Sequence, residues 1–166
     1  QMKVRRLGNS GLKVSVIGLG CNNFGMRIDA AQTQAVVDAA IEAGITLFDT
    51  ADVYGGTKSE EFLGAALGKK RRDIILATKF GMPIGGDPKK RGGSRRWIMQ
   101  AVEDSLTRLK TDYIDLYQHH QPDADNDGEP RAQCQRHIAF RRDRLTFDRH
   151  CGVGEVAGPG QHSQKE

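Results

Sequence analysis

The chain has 166 residues, a length for one domain, with 37% hydrophobic and 6% aromatic residues and a mean hydropathy of -0.56. Soluble domains carry roughly 45–50% apolar residues, so this one is polar for a globule, and no apolar run approaches the ~20 residues of a membrane span. The net charge of +4 lies entirely at or before Asp123, because the residues from Ala124 onward hold 7 Lys+Arg and 7 Asp+Glu against 18 and 14 earlier.

Met2 to Leu7 and Leu12 to Ser15 are strand-like runs around the turn signal Asn9-Ser10-Gly11, and they predict a β-hairpin. Val14-Ser15-Val16-Ile17 predicts a short buried strand leading into Gly18 and Gly20. Asp29 starts the first helix with Gln32 as its capping-box partner; Val36, Val37, Ala40 and Ile41 form the apolar face, and Gly44 ends it. Ile45 to Phe48 is a second strand ending at Asp49. Thr57 is placed to cap a helix with Glu60 as reciprocal partner; Phe62, Leu63 and Leu67 lie on that helix, and Gly68 closes it. Ile74 to Ala77 is a third strand ending at Thr78-Lys79. After a Gly- and Pro-rich loop, Ser94 caps a helix with Ile98, Val102, Leu106 and Leu109 at helical spacing, and Tyr113 to Gln118 is a fourth strand ending at His119-His120.

Strand and helix alternate through four strands, which implies a parallel sheet with right-handed crossovers. Either a (β/α)₈ barrel or an open doubly wound sheet accommodates the pattern. The basic runs Lys69-Lys70-Arg71-Arg72 and Lys89-Lys90-Arg91 with Arg95-Arg96 have one aromatic neighbour, Trp97, and are read as solvated turns rather than a nucleic-acid surface. Cys21, Cys134 and Cys151 form no disulfide framework, and with no signal peptide visible a reducing, cytoplasmic setting is expected.

Asp49, Tyr54, Lys79 and His120 stand at or just after the ends of three predicted strands, which in a parallel barrel converge on one mouth. A carboxylate, a phenol, an ammonium and an imidazole gathered there point to proton transfer to a polarised oxygen. A free phenol is a weak acid, with a pKa of about 10, and a neighbouring lysine cation stabilises its phenolate. Two other motifs fail. Gly18-Leu19-Gly20 lacks the third glycine of a dinucleotide fingerprint, since position 23 is Asn. Asp123 to Gly128 opens like a calcium loop but has Cys134 where the bidentate Glu belongs, and Cys134, His137, His150 and Cys151 make a poor zinc set.

The run Phe48-Asp49-Thr50-Ala51-Asp52-Val53-Tyr54-Gly55 resembles the aldo-keto reductase signature. So do Ala77-Thr78-Lys79, Asp112 to His120, and the opening stretches Leu7 to Ser15 and Leu19 to Gly25. The resemblance covers Met2 to Asp123. It implies a TIM barrel of which the first four β/α units are present, NADPH as hydride donor, and reduction of an aldehyde or ketone to an alcohol. It also implies roles: Tyr54 as general acid, Lys79 as its electrostatic partner, Asp49 as anchor of that lysine and His120, rather than His119, as orienter of the carbonyl. Gly20, Cys21, Asn22 and Asp49 are implied to lie near the cofactor.

From Ala124 to Glu166 only Ile138, Phe140, Leu145, Phe147, Val153 and Val156 are strong core formers, at no sustained spacing. This tail is expected to be disordered. A barrel needs roughly 200 residues, so the chain is expected to be a truncated and inactive form. The composition change near Asp123–Asp127 matches a frameshifted reading. Two further readings stand beside it: a non-catalytic regulatory protein on the same scaffold, resembling the potassium-channel β subunits, and a half barrel that self-associates through unpaired strand edges.

Overall fold

In the computed structural model, which describes residues 1–121, 138–141 and 144–147, the chain opens with an antiparallel hairpin of β1 (Val4–Arg6) and β2 (Lys13–Ser15). The turn falls where Asn9-Ser10-Gly11 predicts it: Ser10 Oγ donates to the Leu7 carbonyl at 2.6 Å, and Gly11 has φ 78°, a conformation glycine adopts without steric penalty. The next expectation is corrected. Val14 and Ser15 belong to the hairpin, because the register pairs Val4 with Ser15. Val16 and Ile17 are exposed, and the first parallel strand is instead β3 (Gly18–Gly20).

Four parallel strands follow in sequential order: β3, β4 (Leu47–Asp49), β5 (Ile75–Phe80) and β6 (Tyr113–His119). They are connected by α1 (Ala30–Glu42), α2 (Lys58–Leu67) and α3 (Arg95–Arg108). Helix α1 packs on α2 and α2 on α3, so the crossovers lie on one side of the sheet. A doubly wound sheet reverses its strand order and carries helices on both faces. Sequential order with one-sided helices is the arc of a (β/α)₈ barrel.

Local chemistry sets most helix ends. Asp29 and Gln32 make the capping box of α1, and Ser94 Oγ accepts the Trp97 N–H at the start of α3. Gly44 follows α1 with φ 83°. Thr57 departs from expectation: it is left-handed (φ 82°) and makes no cap, while Glu60 turns inward to Thr78 and Arg108. Charge still suits this helix start, since Glu60 and Glu61 lie in the first turn, where the dipole favours anions.

The core lies between sheet and helices. Val37, Leu63, Leu67, Val102, Leu106 and Leu109 close on Phe48, Leu76, Phe80 and Tyr117, and Trp97 is buried among them. Val36, expected on the buried face of α1, is 38% exposed, and Thr33 is buried in line with Val37 and Ala40. Arg71 also departs from the solvated reading of its basic run. It is buried, donates to the carbonyls of Ile74 and Tyr113 and to Asp115 at 2.9 Å, and lies 3.9 Å over the Tyr113 ring. Lys70 keeps the expected character, pairing with Asp38 at the surface.

Beyond β6, the strands β7 (Ile138–Arg141) and β8 (Arg144–Phe147) form an antiparallel hairpin against it, with Tyr113 opposite Arg141 and Ile138 opposite Phe147. Sequence reading missed these strands because each carries only two strong core formers, Ile138 with Phe140 and Leu145 with Phe147, too few to stand out from a polar background. The rest of the segment expected to be disordered lies outside the described residues, as do the calcium-like loop and the cysteine–histidine set. No described helix is long and apolar enough to cross a membrane.

Gly64 sits where α2 meets the end of α3, and a Cβ there would stand 2.5 Å from the Leu109 carbonyl carbon and oxygen. Helix propensity alone favours Gly64→Ala by about 1 kcal/mol. The backbone contact reverses the sign, because forcing packed elements apart costs about 1–3 kcal/mol. Denaturant unfolding of Gly64→Ala is therefore expected to show a lower midpoint than the parent, and a higher midpoint would contradict this packing.

Candidate active site

Strand register brings the predicted residues to one end and one face. Asp49 pairs with Ala77, and Lys79 pairs with Gln118. Side chains alternate along a strand, so Asp49, Ala77, Lys79 and Gln118 share the face turned from the helices. Phe48, Leu76 and Thr78 take the opposite face and reach the core or Glu60 of α2. On the shared face the Lys79 ammonium donates to Asp49 Oδ2 and to the Thr50 carbonyl, both at 2.8 Å. The lysine side chain is 15% exposed and the aspartate 41%, so the pair stands at the edge of solvent.

Tyr54 is delivered by the segment after β4. The Thr50 N–H donates to the Ala77 carbonyl at 2.9 Å and the Asp52 N–H to the Lys79 carbonyl at 3.0 Å, so the chain stays laced to β5 beyond the strand proper. It then turns through Gly55 and Gly56 at φ 59° and 63°. A Cβ on Gly55 would stand 2.5 Å from the Phe24 carbonyl oxygen, so glycine is required there by conformation and by contact. Lys79 Nζ lies 5.1 Å from the Tyr54 ring centre. His120 meets the same ring edge-on at 5.6 Å and 84°, held in place by its N–H bond to the Phe80 carbonyl at 2.8 Å. Its neighbour His119 stacks on Phe80 instead. The four candidate residues are thus brought together, and of the two histidines it is His120 that reaches Tyr54.

Burial lowers the pKa of His120 below 6.5, with Lys79 and His119 acting in the same direction and Asp49 opposing. Its imidazole is neutral at neutral pH and offers one donor and one acceptor. Nδ1 is buried without a hydrogen-bond partner among the described residues. A phenol beside an ammonium and a neutral imidazole can give a proton to an oxygen placed between them.

The residues expected near a cofactor separate by position. Gly20 ends β3 exposed, with open space where a Cβ would point, and Asn22 is exposed beside it. Cys21 between them is buried. Its N–H donates to Asp49, its carbonyl accepts from Ser59, and its thiol lies in the core. What Cys21 gives the mouth is the shape of the loop. Sequence reading also missed the polar layer behind the site: Ser59 bonded to Thr50, and Glu60 joined to Thr78 and Arg108 with Asp52 beside them. Asp52 belongs to the quoted signature run, and nothing in its spacing separates a buried carboxylate from a loop residue. A separate cleft of about 820 Å³ lies toward the opposite strand ends, lined by Lys69, Arg71, Arg72, Lys110 and Tyr113 among others. It gathers cations and no acid–base pair of the kind at the mouth.

Burial raises the Cys21 thiol to about 12, with Asp49 adding to the effect. The reactive species is the thiolate, so Cys21 is expected to be inert in the folded chain. With Cys134→Ser and Cys151→Ser in place, a disulfide reagent should label Cys21 only on unfolding, and labelling at native rates comparable to a free thiol would contradict its placement.

The Aldo/keto reductase family model matches residues 16–146. The chain is 47% identical over 121 residues to the uncharacterized oxidoreductase YqkF of Bacillus subtilis, covering 72% of this chain and 39% of that protein. It is 38% identical over 127 residues to a probable voltage-gated potassium channel subunit beta of Oryza sativa, covering 74% and 38%. Among solved structures it is similar to the holo form of the aldo-keto reductase AKR11C1 from Bacillus halodurans, at 43% identity and a TM-score of 0.69, covering 76% of this chain and 43% of that one. The chain spans about two fifths of the length of the curated relatives it matches. With this match over most of its length, and parallel strands in barrel order, the chain belongs to the aldo/keto reductase family.

Proposed function

We propose that these residues form the acid–base part of an NADPH-dependent carbonyl reductase acting on an aldehyde or ketone in the cytoplasm. The observation that carries this is the contact set of Lys79 with Asp49, and of Tyr54 with both Lys79 and His120, at one end of the sheet. Tyr54 gives its proton to the carbonyl oxygen as that oxygen gains charge. Lys79 stabilises the phenolate left behind, and Asp49 with the Thr50 carbonyl fixes the lysine so that the charge is in place before reaction. Neutral His120 donates a hydrogen bond to the same oxygen and orients it.

Bound NADPH supplies the hydride in such a reaction. The chain fits its reacting end. Gly20 leaves open space at the mouth, Asn22 presents an exposed amide, and the partly exposed Asp49 stands beside them. All four candidate residues, Asp49, Tyr54, Lys79 and His120, are gathered at the mouth, which favours catalysis over the purely regulatory role that the channel-subunit relative brings to mind. Because the chain spans about two fifths of such relatives, residues 1–166 alone are expected to show no turnover.

A chimera tests this by continuing residues 1–121 with the remainder of the Bacillus halodurans reductase. Carbonyl-dependent oxidation of NADPH is expected from the chimera and not from the parent chain. Removing a general acid lowers rates by roughly 10²–10⁴, so Tyr54→Phe should lower kcat by that order while NADPH binding, followed by fluorescence, is unchanged. Undiminished kcat in Tyr54→Phe would overturn the assignment.

A further inference from the structure

Behind the mouth, on the helix side of the sheet, Asp52 is completely buried, and neither carboxylate oxygen has a well-formed hydrogen bond among the described residues, the Val53 N–H offering only a weak one. Charged and titratable groups from four elements act around it. Glu60 comes from α2, Arg108 from α3, Lys79 from β5 and Tyr117 from β6. Glu60 is fully buried and already committed, one oxygen accepting from Thr78 and the other from Arg108 at 2.7 Å. The Tyr117 hydroxyl is buried with no partner among the described residues. One arginine therefore faces two buried carboxyl groups. Leaving both charged in that space is unfavourable.

Asp52 is also mechanically coupled to the mouth. Its N–H is the last bond lacing the segment after β4 to β5, at the carbonyl of Lys79, and Tyr54 lies two residues on. The backbone bond of Asp52 and the turn that carries Tyr54 are thus adjacent in the chain.

We propose that Asp52 is a positioning residue for Tyr54: a buried carboxyl group, neutral when the segment is docked, whose ionisation displaces the Tyr54 turn from Lys79. This rests on the reading of Tyr54 and Lys79 as an acid–base pair, and it deepens that reading by adding a proton-dependent control. Burial raises the Asp52 pKa from 3.8 to about 7, Glu60 adding to the rise and Arg108, the Val53 N–H and Lys79 opposing it. The folded chain thus holds more protons than the unfolded one between pH 3.8 and about 7. Stability from this group is complete below that window and lost as pH rises through it.

The test is carbon-13 NMR of the full chain labelled at tyrosine rings and aspartate carboxyls, from pH 4 to 9. We expect the Asp52 carboxyl to titrate near pH 7 and the Tyr54 ring resonance to move with the same midpoint. In Asp52→Asn the step of the Tyr54 resonance near pH 7 should be lost, leaving only a step that follows the His120 resonance. An Asp52 midpoint near 4 would overturn the proposal. So would a Tyr54 step near pH 7 that persists unchanged in Asp52→Asn. Should Asp52→Asn fail to fold, His120→Gln decides the matter: the Tyr54 inflection survives it if Asp52 is responsible and vanishes if not. None of these readouts depends on turnover, so an inactive chimera would defeat the reductase reading and leave this result standing.

Discussion

The Lys79 ammonium binds across two neighbouring strands, to the Asp49 carboxylate and the Thr50 carbonyl. That bond is available only because β4 and β5 are parallel and in a register that sets Asp49 beside Ala77. A slip of one residue would send Lys79 to the helix side and Thr78 to the mouth, since alternate side chains take opposite faces. The apolar residues prevent such a slip. Leu76 and Phe80 are buried, and both would move to the mouth face with the slip. Packing on the helix side thus fixes chemistry on the other.

The same strands show how a polar layer can sit behind a reactive one. Thr50 binds Ser59, Thr78 binds Glu60, and Arg108 closes on Glu60 from α3. Removing one member of a buried charged pair is strongly destabilising, at about 3–5 kcal/mol. The layer therefore ties the first turn of α2 to β5 and to α3. The segment bearing Tyr54 runs between that layer and the mouth, which makes its position depend on both.

Much of this was legible in the sequence. The capping pair Asp29 and Gln32, the cap at Ser94 and the apolar spacing through Val102, Leu106 and Leu109 are local signals, and local chemistry decides them. The four candidate residues were legible as strand-end positions within a family signature, and the structure brings them together. What escaped was set by tertiary context. Val16 and Ile17 read as a strand but are displaced by the hairpin register. Thr57 reads as a cap, but Glu60, its expected partner, is drawn inward by Arg108. Arg71 reads as one of four surface cations, and only the approach of β6 supplies the Tyr113 ring and the Asp115 carboxylate that bury it. Asp52 has no local signature of burial.

On the proposed mechanism, the cation at Lys79 acts on the reacting proton and does not merely brace the sheet. Single-turnover NADPH oxidation by the full-length chimera, with and without Lys79→Met, tests it most directly. Methionine keeps much of the length and apolar stem while removing the charge. A loss of roughly 10²-fold or more in the single-turnover rate is expected, with the folded structure and NADPH affinity retained. Equal rates in the two proteins would contradict it, and would leave Lys79 as a bond between strands and nothing more.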